Sequence, residues 1–188
     1  MRVRVVAFER KILVAEREDV LDVRIDLHDR QWPRRPRQLQ PRLFEMVDVE
    51  VRVTERVHEV EATEADIDAA LFGGNPRLFC EIAEWDGEPV GFAVWFVNFS
   101  TFSGRSGIYL EDLFVRPALR GKGIGKALLV RLAGECVANG WSRLQWSVLD
   151  WNTPSIEFYK SLGADLMDEW TVCRIGGPAL TALAQGAR

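Results

Sequence analysis

From Phe79 onward, segments with a two-residue apolar period take turns with segments of helical period. Phe79–Trp85 and Pro89–Asn98 are rich in aromatic and β-branched residues and read as strands. Asp86-Gly87 between them signals a hairpin, slightly lengthened by Glu88. Ser100–Gly107 is a polar loop, and Ile108–Val115 is the next strand. Ile124–Asn139 follows the helical period, with Ile124, Leu128, Leu132 and Cys136 on one face. Asn139-Gly140 stops it. Arg143–Asp150 is a further strand. Asn152 or Thr153 caps the next helix, with Pro154 in its first turn and Gly163-Ala164 at its end. Trp170–Ile175 is a last strand and Pro178–Ala184 a closing helix. Upstream, Thr63-Glu64-Ala65-Asp66 is a capping box that opens a short helix to Phe72. Strand, loop, helix and strand in this order form a βαβ unit with a parallel strand pair.

Residues 1–56 follow neither period well. Val3–Phe8 and Ile12–Ala15 fit strands, but Trp32-Pro33-Arg34-Arg35-Pro36-Arg37 interrupts any regular element. The chain therefore divides into an atypical segment, 1–56, whose fold the pattern leaves open, and a regular domain, 57–188. Charge divides at the same place: 13 Lys/Arg against 11 Asp/Glu before residue 57, and 11 against 17 after it. An acidic main domain argues against nucleic acid and favours cationic partners, although solubility alone also accounts for it. No apolar run reaches the length of a membrane span. Cys80, Cys136 and Cys173 lie in apolar patterns, so they read as reduced core thiols of a cytoplasmic protein. With His28 and His58 as the only histidines, no metal-ligand spacing exists.

The candidate chemistry starts at Arg120-Gly121-Lys122-Gly123-Ile124-Gly125, between a strand and a helix. Glycines there let the backbone approach a ligand, and the helix start adds unpaired N–H groups and its positive dipole end. Such a cradle suits a phosphate or pyrophosphate. The dinucleotide fingerprint fails because Lys126 replaces its third glycine. The P-loop pattern fails because Arg120 stands where its first glycine belongs and Ala127 follows Lys126.

The run fits R/Q-x-x-G-x-G/A, the pyrophosphate loop of the GNAT acyl-CoA N-acyltransferases. Tyr109-Leu110-Glu111-Asp112-Leu113-Phe114-Val115-Arg116-Pro117 resembles the strand before this loop in the spermidine/spermine (diamine) N-acetyltransferase group. Ser147-Val148-Leu149-Asp150-Trp151-Asn152-Thr153-Pro154-Ser155-Ile156-Glu157-Phe158-Tyr159-Lys160-Ser161-Leu162-Gly163-Ala164 is similar to that group's second signature. The resemblance runs from about Glu59 to Ala184. It implies an α/β (α+β) GNAT fold: a mixed central sheet, a splayed parallel strand pair, and helices on both faces.

The resemblance also implies roles. Glu111 is the carboxylate that takes a proton from the substrate amine, and Tyr159 is the general acid for the sulfur of CoA. Backbone groups of Leu113, Phe114 and Val115 pair with the pantetheine arm and acyl carbonyl. Arg120, Gly121, Lys122, Gly123, Ile124, Gly125 and Lys126 hold the pyrophosphate. Asn152 contacts the pantetheine, with helix capping as its other role, and Ser155 joins the cofactor set. Gln145, Trp146 and Ser147 lie on the substrate side, and Glu55 in Thr54-Glu55-Arg56 keeps part of a substrate-binding segment. Asp112 is left to structural hydrogen bonding. Adjacent in a strand, Glu111 and Asp112 are expected on opposite faces.

The expected function is direct acetyl transfer from acetyl-CoA to a primary amine of a small diamine or polyamine, without metal or covalent intermediate. The alternatives are an acetyltransferase for an amino acid or thialysine-like amine, one for peptides or proteins, and a non-catalytic acyl-CoA-binding module. The expected partners are the small amine and a second copy of the chain in a homodimer, with no nucleic acid and no membrane. Part of the dimer expectation rests on Trp170–Ile175 being an edge strand that needs covering.

Overall fold

A computed structural model of the chain describes three N-terminal strands by their backbone, and residues 61–186 in full. The strands are β1 (Val3–Ala7), β2 (Arg10–Arg17) and β3 (Val20–Val23). β1 and β2 match the two strands expected there, and β3 adds a third. Glu55 lies outside the described residues. The chain separates into two compact units, Met1–Ser147 and Val148–Arg188.

In the first unit, α1 (Glu64–Phe72) begins at the expected capping box. The Thr63 hydroxyl accepts from the Asp66 N–H at 3.3 Å, and the Asp66 carboxylate accepts from the Thr63 N–H at 2.9 Å. The Thr63 hydroxyl also donates to the Asp66 carboxylate at 2.6 Å, and this bond first, with that from the Thr63 N–H second, holds the Asp66 carboxyl below its usual range. β4 (Phe79–Trp85) and β5 (Glu88–Ser100) form the expected hairpin. Asp86 and Gly87 both have positive φ, 52° and 86°, as a tight two-residue turn requires. Glu88 pairs with Trp85 and so belongs to the strand rather than lengthening the turn.

β6 (Arg105–Val115) takes in the last three residues of the polar loop expected before it, and β5 takes its first, Ser100. It leads through a 3-10 turn at Pro117–Leu119 into α2 (Ile124–Ala138). β7 is short, Leu144–Gln145. One sheet results, in the order β3-β2-β1-β4-β5-β6-β7. All its pairs are antiparallel except β6 with β7. The strand expected over Arg143–Asp150 is thus cut to two residues. The physical reason is pairing: a segment continues as a strand only where a neighbour supplies ladder bonds, and β7 pairs β6 only at Ile108↔Leu144 and Tyr109↔Gln145.

Helices cover both faces of this sheet. Leu71 of α1 packs with Cys80, Ile82, Phe92, Val94 and Phe114. Phe92 and Ile82 are fully buried, each removing roughly 1.5–3 kcal/mol of apolar exposure. Glu81, between Cys80 and Ile82, points to the opposite face by strand alternation. There it meets Arg131 of α2, with 3.6 Å between charged groups. Ile124, Leu128, Leu132 and Cys136 are all buried, so the predicted helix face is the one that packs.

The second unit holds α3 (Thr153–Ser161) and α4 (Gly177–Ala184), both near their expected spans. Trp170–Ile175 is not a strand. Its apolar residues Trp170, Val172 and Ile175 are exposed, and no strand pairs with it among the described residues. A β-rich composition makes no strand without a neighbour, and the edge-strand support for a homodimer falls with it. Cys173, in the same stretch, is exposed rather than a core thiol, whereas Cys80 and Cys136 are buried.

Glu81 carries a testable consequence. Burial first, opposed by Arg131 and reinforced by Glu135, pushes its carboxyl from 4.5 up to about 7. At Arg131 burial is outweighed by Glu81 and by Glu135, which accepts its hydrogen bond at 2.7 Å. Between these two Glu81 values the folded chain binds more protons than the unfolded one, so stability falls as pH rises. The expected result is a melting temperature that declines from about pH 5 to pH 8. In Glu81→Gln that decline becomes shallower, and equal slopes in the two proteins would exclude this role for Glu81.

Candidate active site

β6 pairs from end to end on one side, apart from one bulge residue, and along two residues on the other. Toward β5 it pairs from Arg105 to Val115. Toward β7 it pairs only at Ile108 and Tyr109. From Leu110 to Val115 no β7 residue stands opposite, and no other strand pairs that edge among the described residues, so it can offer main-chain groups beside the glycine loop.

The β5–β6 ladder also breaks within this stretch. Val94 pairs with Asp112 and Trp95 with Leu110, which leaves Glu111 as the extra residue of a β-bulge. The bulge removes the strict alternation behind the opposite-face expectation. Glu111 and Asp112 are both solvent-exposed. Protein nevertheless surrounds much of the Asp112 carboxyl. That desolvation first, and the Glu111 charge second, push it up to about 6, with its remaining solvent contact limiting the effect. The pair concentrates negative charge at one bend of the strand.

Beyond Val115 the chain turns into the cradle. Arg116 N–H donates to the Val90 carbonyl at 2.8 Å, and Arg120 Nε donates to the Val115 carbonyl at 3.0 Å, which ties the loop to the strand end. Gly91, opposite Val115, lets the two strands close up here, since a Cβ on it would stand 2.6 Å from the Phe114 carbonyl oxygen. Gly121 and Gly123 have φ of 76° and 79°, a region that costs other residues roughly 1–2 kcal/mol. A Cβ on Gly121 would meet nothing within 4 Å, so the loop opens on that side.

Gly123 is the N-cap of α2 and brings no side chain to satisfy the first N–H groups, and no acidic residue occupies the first turn. The first N–H groups of a helix have no acceptor within it. This start therefore presents donors and a positive dipole end without a competing carboxylate. Ile124 is buried and Gly125 half-buried, so these two act through the backbone. Arg120, Lys122 and Lys126 are exposed cations around the loop. Lys122 Nζ rests 5.2 Å from the centre of the Trp85 ring. An open loop, main-chain donors and cations are together what a phosphate-type anion needs.

Gln145, Trp146 and Ser147 lie where β7 leaves β6. Gln145 pairs with Tyr109, and the Ser147 and Tyr109 hydroxyls are 2.9 Å apart. Sequence reasoning placed no site residue at Tyr109. No local signal could find it, because its neighbours come from β5 and from beyond β7.

In the second unit, the Asn152 side-chain oxygen accepts from the Ser155 N–H at 3.3 Å, so Asn152 caps α3. Tyr159 is half-buried beside Phe158, with ring centres 5.3 Å apart. Burial pushes its phenol above the usual value of 10.0. Among the described residues no helix is long and apolar enough to cross a membrane, and no group of three or more His, Cys, Asp or Glu residues forms a metal cluster.

Residues 31–164 match the Acetyltransferase (GNAT) family. Relatives include a thialysine N-epsilon-acetyltransferase of Bos taurus, 37% identical over 137 residues, covering 67% of this chain and 80% of the relative. An L-ornithine N5-acetyltransferase of Arabidopsis thaliana is 43% identical over 93 residues, so the match spans 50% of this chain and 41% of that one. Among solved structures, an integron cassette protein from the mobile metagenome of V. cholerae shares the fold with a TM-score of 0.69, 24% identity, and coverage of 98% of this chain and 99% of that one. The chain belongs to the GNAT acetyltransferase family, N-acetyltransferases that use acetyl-CoA as acetyl donor.

The cradle makes a direct prediction. Gly123→Val should strain the loop by about 1–2 kcal/mol and set a branched side chain where phosphate oxygens would approach. The expected outcome is a folded protein whose CoA affinity by calorimetry falls at least tenfold. A folded variant that binds CoA as the wild type does would remove the glycine loop from the site.

Proposed function

We propose that the protein transfers the acetyl group of acetyl-CoA directly to a primary amine of a small diamine or polyamine. The observation that carries this reading is the Glu111 bulge: two exposed carboxylates beside a strand edge unpaired among the described residues, which leads into the glycine loop. Acetyl-CoA supplies an acetyl group activated as a thioester. Arg120, Lys122, Lys126 and the N–H groups at the start of α2 take the pyrophosphate, and the main chain of Leu113–Val115 orients the acyl arm. An alkyl ammonium near pKa 10.4 must lose a proton before it can attack. Glu111 accepts that proton, directly or through water, while Asp112 adds negative charge that draws a cation. Gln145, Trp146 and Ser147 flank the amine, and Asn152 and Ser155 serve the cofactor side.

Tyr159 returns a proton to the departing sulfur. A phenol whose pKa burial raises stays protonated at neutral pH, as a proton donor must. In the same proposal residues 57–188 make up the catalytic domain, and Glu55, just before it, contributes to amine binding.

A second acceptor class has specific support. The bovine relative is named for thialysine and the Arabidopsis one for ornithine, both amino acids with a side-chain amine. A human relative, 34% identical over 135 residues, covering 66% of this chain and 19% of its own length, is named spermidine/spermine N(1)-acetyltransferase-like protein 1. Incubating the protein with acetyl-CoA and a panel of diamines, polyamines, ornithine and thialysine, while following free thiol release, separates the readings. The expected outcome is highest kcat/KM on a diamine or polyamine. Higher values on the amino acids would replace this reading with the second, and binding of CoA without turnover on any amine would make the protein a binding module.

Tyr159 gives a sharper test of mechanism. Tyr159→Phe should lower kcat by about 10²-fold or more, the scale of general acid catalysis, with CoA affinity little changed. Near-normal kcat would end the assignment.

A further inference from the structure

The place where β7 leaves β6 is fastened by side chains. Tyr109 is the last β6 residue with a backbone partner on each side, Phe96 on β5 and Gln145 on β7. The next residue, Leu110, pairs only with Trp95, and Glu111 is the bulge. Tyr109 therefore stands where the parallel pair opens. Side chains two apart on an extended segment share a face, so Ser147 continues on the face of Gln145, beside Tyr109. The two hydroxyls meet at 2.9 Å, and either atom can donate. The Tyr109 ring is held in turn by stacking on Phe96, with centroids 5.2 Å apart and planes at 28°.

From these contacts we infer that Tyr109 is a positioning residue whose hydroxyl, bonded to Ser147, sets how far the segment after β7 opens from β6. The inference rests on the proposed acetyl-CoA site, because the edge it holds leads into the Leu113–Val115 stretch assigned there to the acyl arm. A hydroxyl pair near solvent adds little to folding, since water replaces either partner. Its effect belongs to geometry. Beyond Gln145 the ladder no longer holds the two segments in register, so a crosslink at the opening limits how far they drift. A main-chain edge held at one spacing binds a ligand without first losing conformational freedom, and a drifting one bears that loss on every binding event. The Phe96 stack makes the crosslink directional, because it restricts where the phenol oxygen reaches.

Tyr109→Phe removes the hydroxyl and keeps the ring on Phe96. Ser147→Ala removes the other partner, and Ser147→Thr restores a hydroxyl. Calorimetry with CoA as probe and thermal unfolding are measured on the full chain for each. The expected result is an affinity loss of about fivefold in Tyr109→Phe and in Ser147→Ala, the scale of one hydrogen bond. The double variant should be no weaker than either single one, Ser147→Thr should bind close to the wild type, and all melting temperatures should stay near the wild type. Unchanged affinity in Tyr109→Phe, losses that multiply in the double variant, or a lowered melting temperature without affinity loss would each overturn the crosslink. Failure of the wild type itself to bind CoA would overturn the acetyl-CoA site instead, so the two failures are distinct.

Discussion

The unequal pairing of β6 is the constraint on which the rest of the first unit depends. A central strand of a sheet normally spends its N–H and C=O groups on two neighbours. Here β5 takes one edge in full and β7 takes two residues of the other. Among the described residues no strand pairs the rest of that edge, and unpaired main-chain groups are costly away from solvent, so the edge is suited to a ligand. The same strand then turns straight into a glycine loop and a helix start that are also short of acceptors. Main-chain groups without a strand partner on one side, among the described residues, and the open helix start thus lie close together in the chain, from Leu110 to the first turn of α2.

Rigid surroundings keep that stretch from closing on itself. α2 is anchored to the sheet by its buried apolar face and by Arg131, which lies between Glu81 and Glu135. Breaking a buried ion pair by removing one partner is costly because a charge is left behind, so this contact fixes the helix rather than merely adding stability. Gly91 lets β5 and β6 approach closely at the strand end, and Arg116 and Arg120 tie the loop to the same place. The bulge bends β6 just before this point and brings Glu111 out of the ladder. Scaffold and chemistry are therefore separated along the chain: packing residues hold the frame, and exposed backbone and carboxylates face solvent.

Local features were legible in the amino-acid sequence. The Thr63–Asp66 capping box, the Asp86-Gly87 turn, the buried face of α2 and the Asn152 cap each depend on residues a few positions apart. The glycine run was legible as a strand-to-helix loop for the same reason. Features that need a distant partner were not. Arg143–Asp150 has the composition of a strand, but only two of its residues meet β6. Trp170–Ile175 has it too, and pairs with no strand among the described residues. Cys173 was grouped with the buried thiols on its apolar neighbours, yet apolar neighbours bury nothing unless something packs on them. The Glu111 bulge is invisible in sequence, since it exists only as a mismatch between two ladders.

By itself, then, the sequence determined the order of strands and helices from Thr63 to Ser161, the position of the glycine loop between β6 and α2, and the family to which those motifs belong. Each follows from periodicity, capping chemistry and glycine placement, which act over one or two turns of chain. Tertiary structure alone decided where β7 stops, that Glu111 leaves the register, that Glu81 meets Arg131, and that Tyr109 meets Ser147. Those outcomes depend on which segments become neighbours, and neighbour choice is settled by the packing of the whole sheet against its helices.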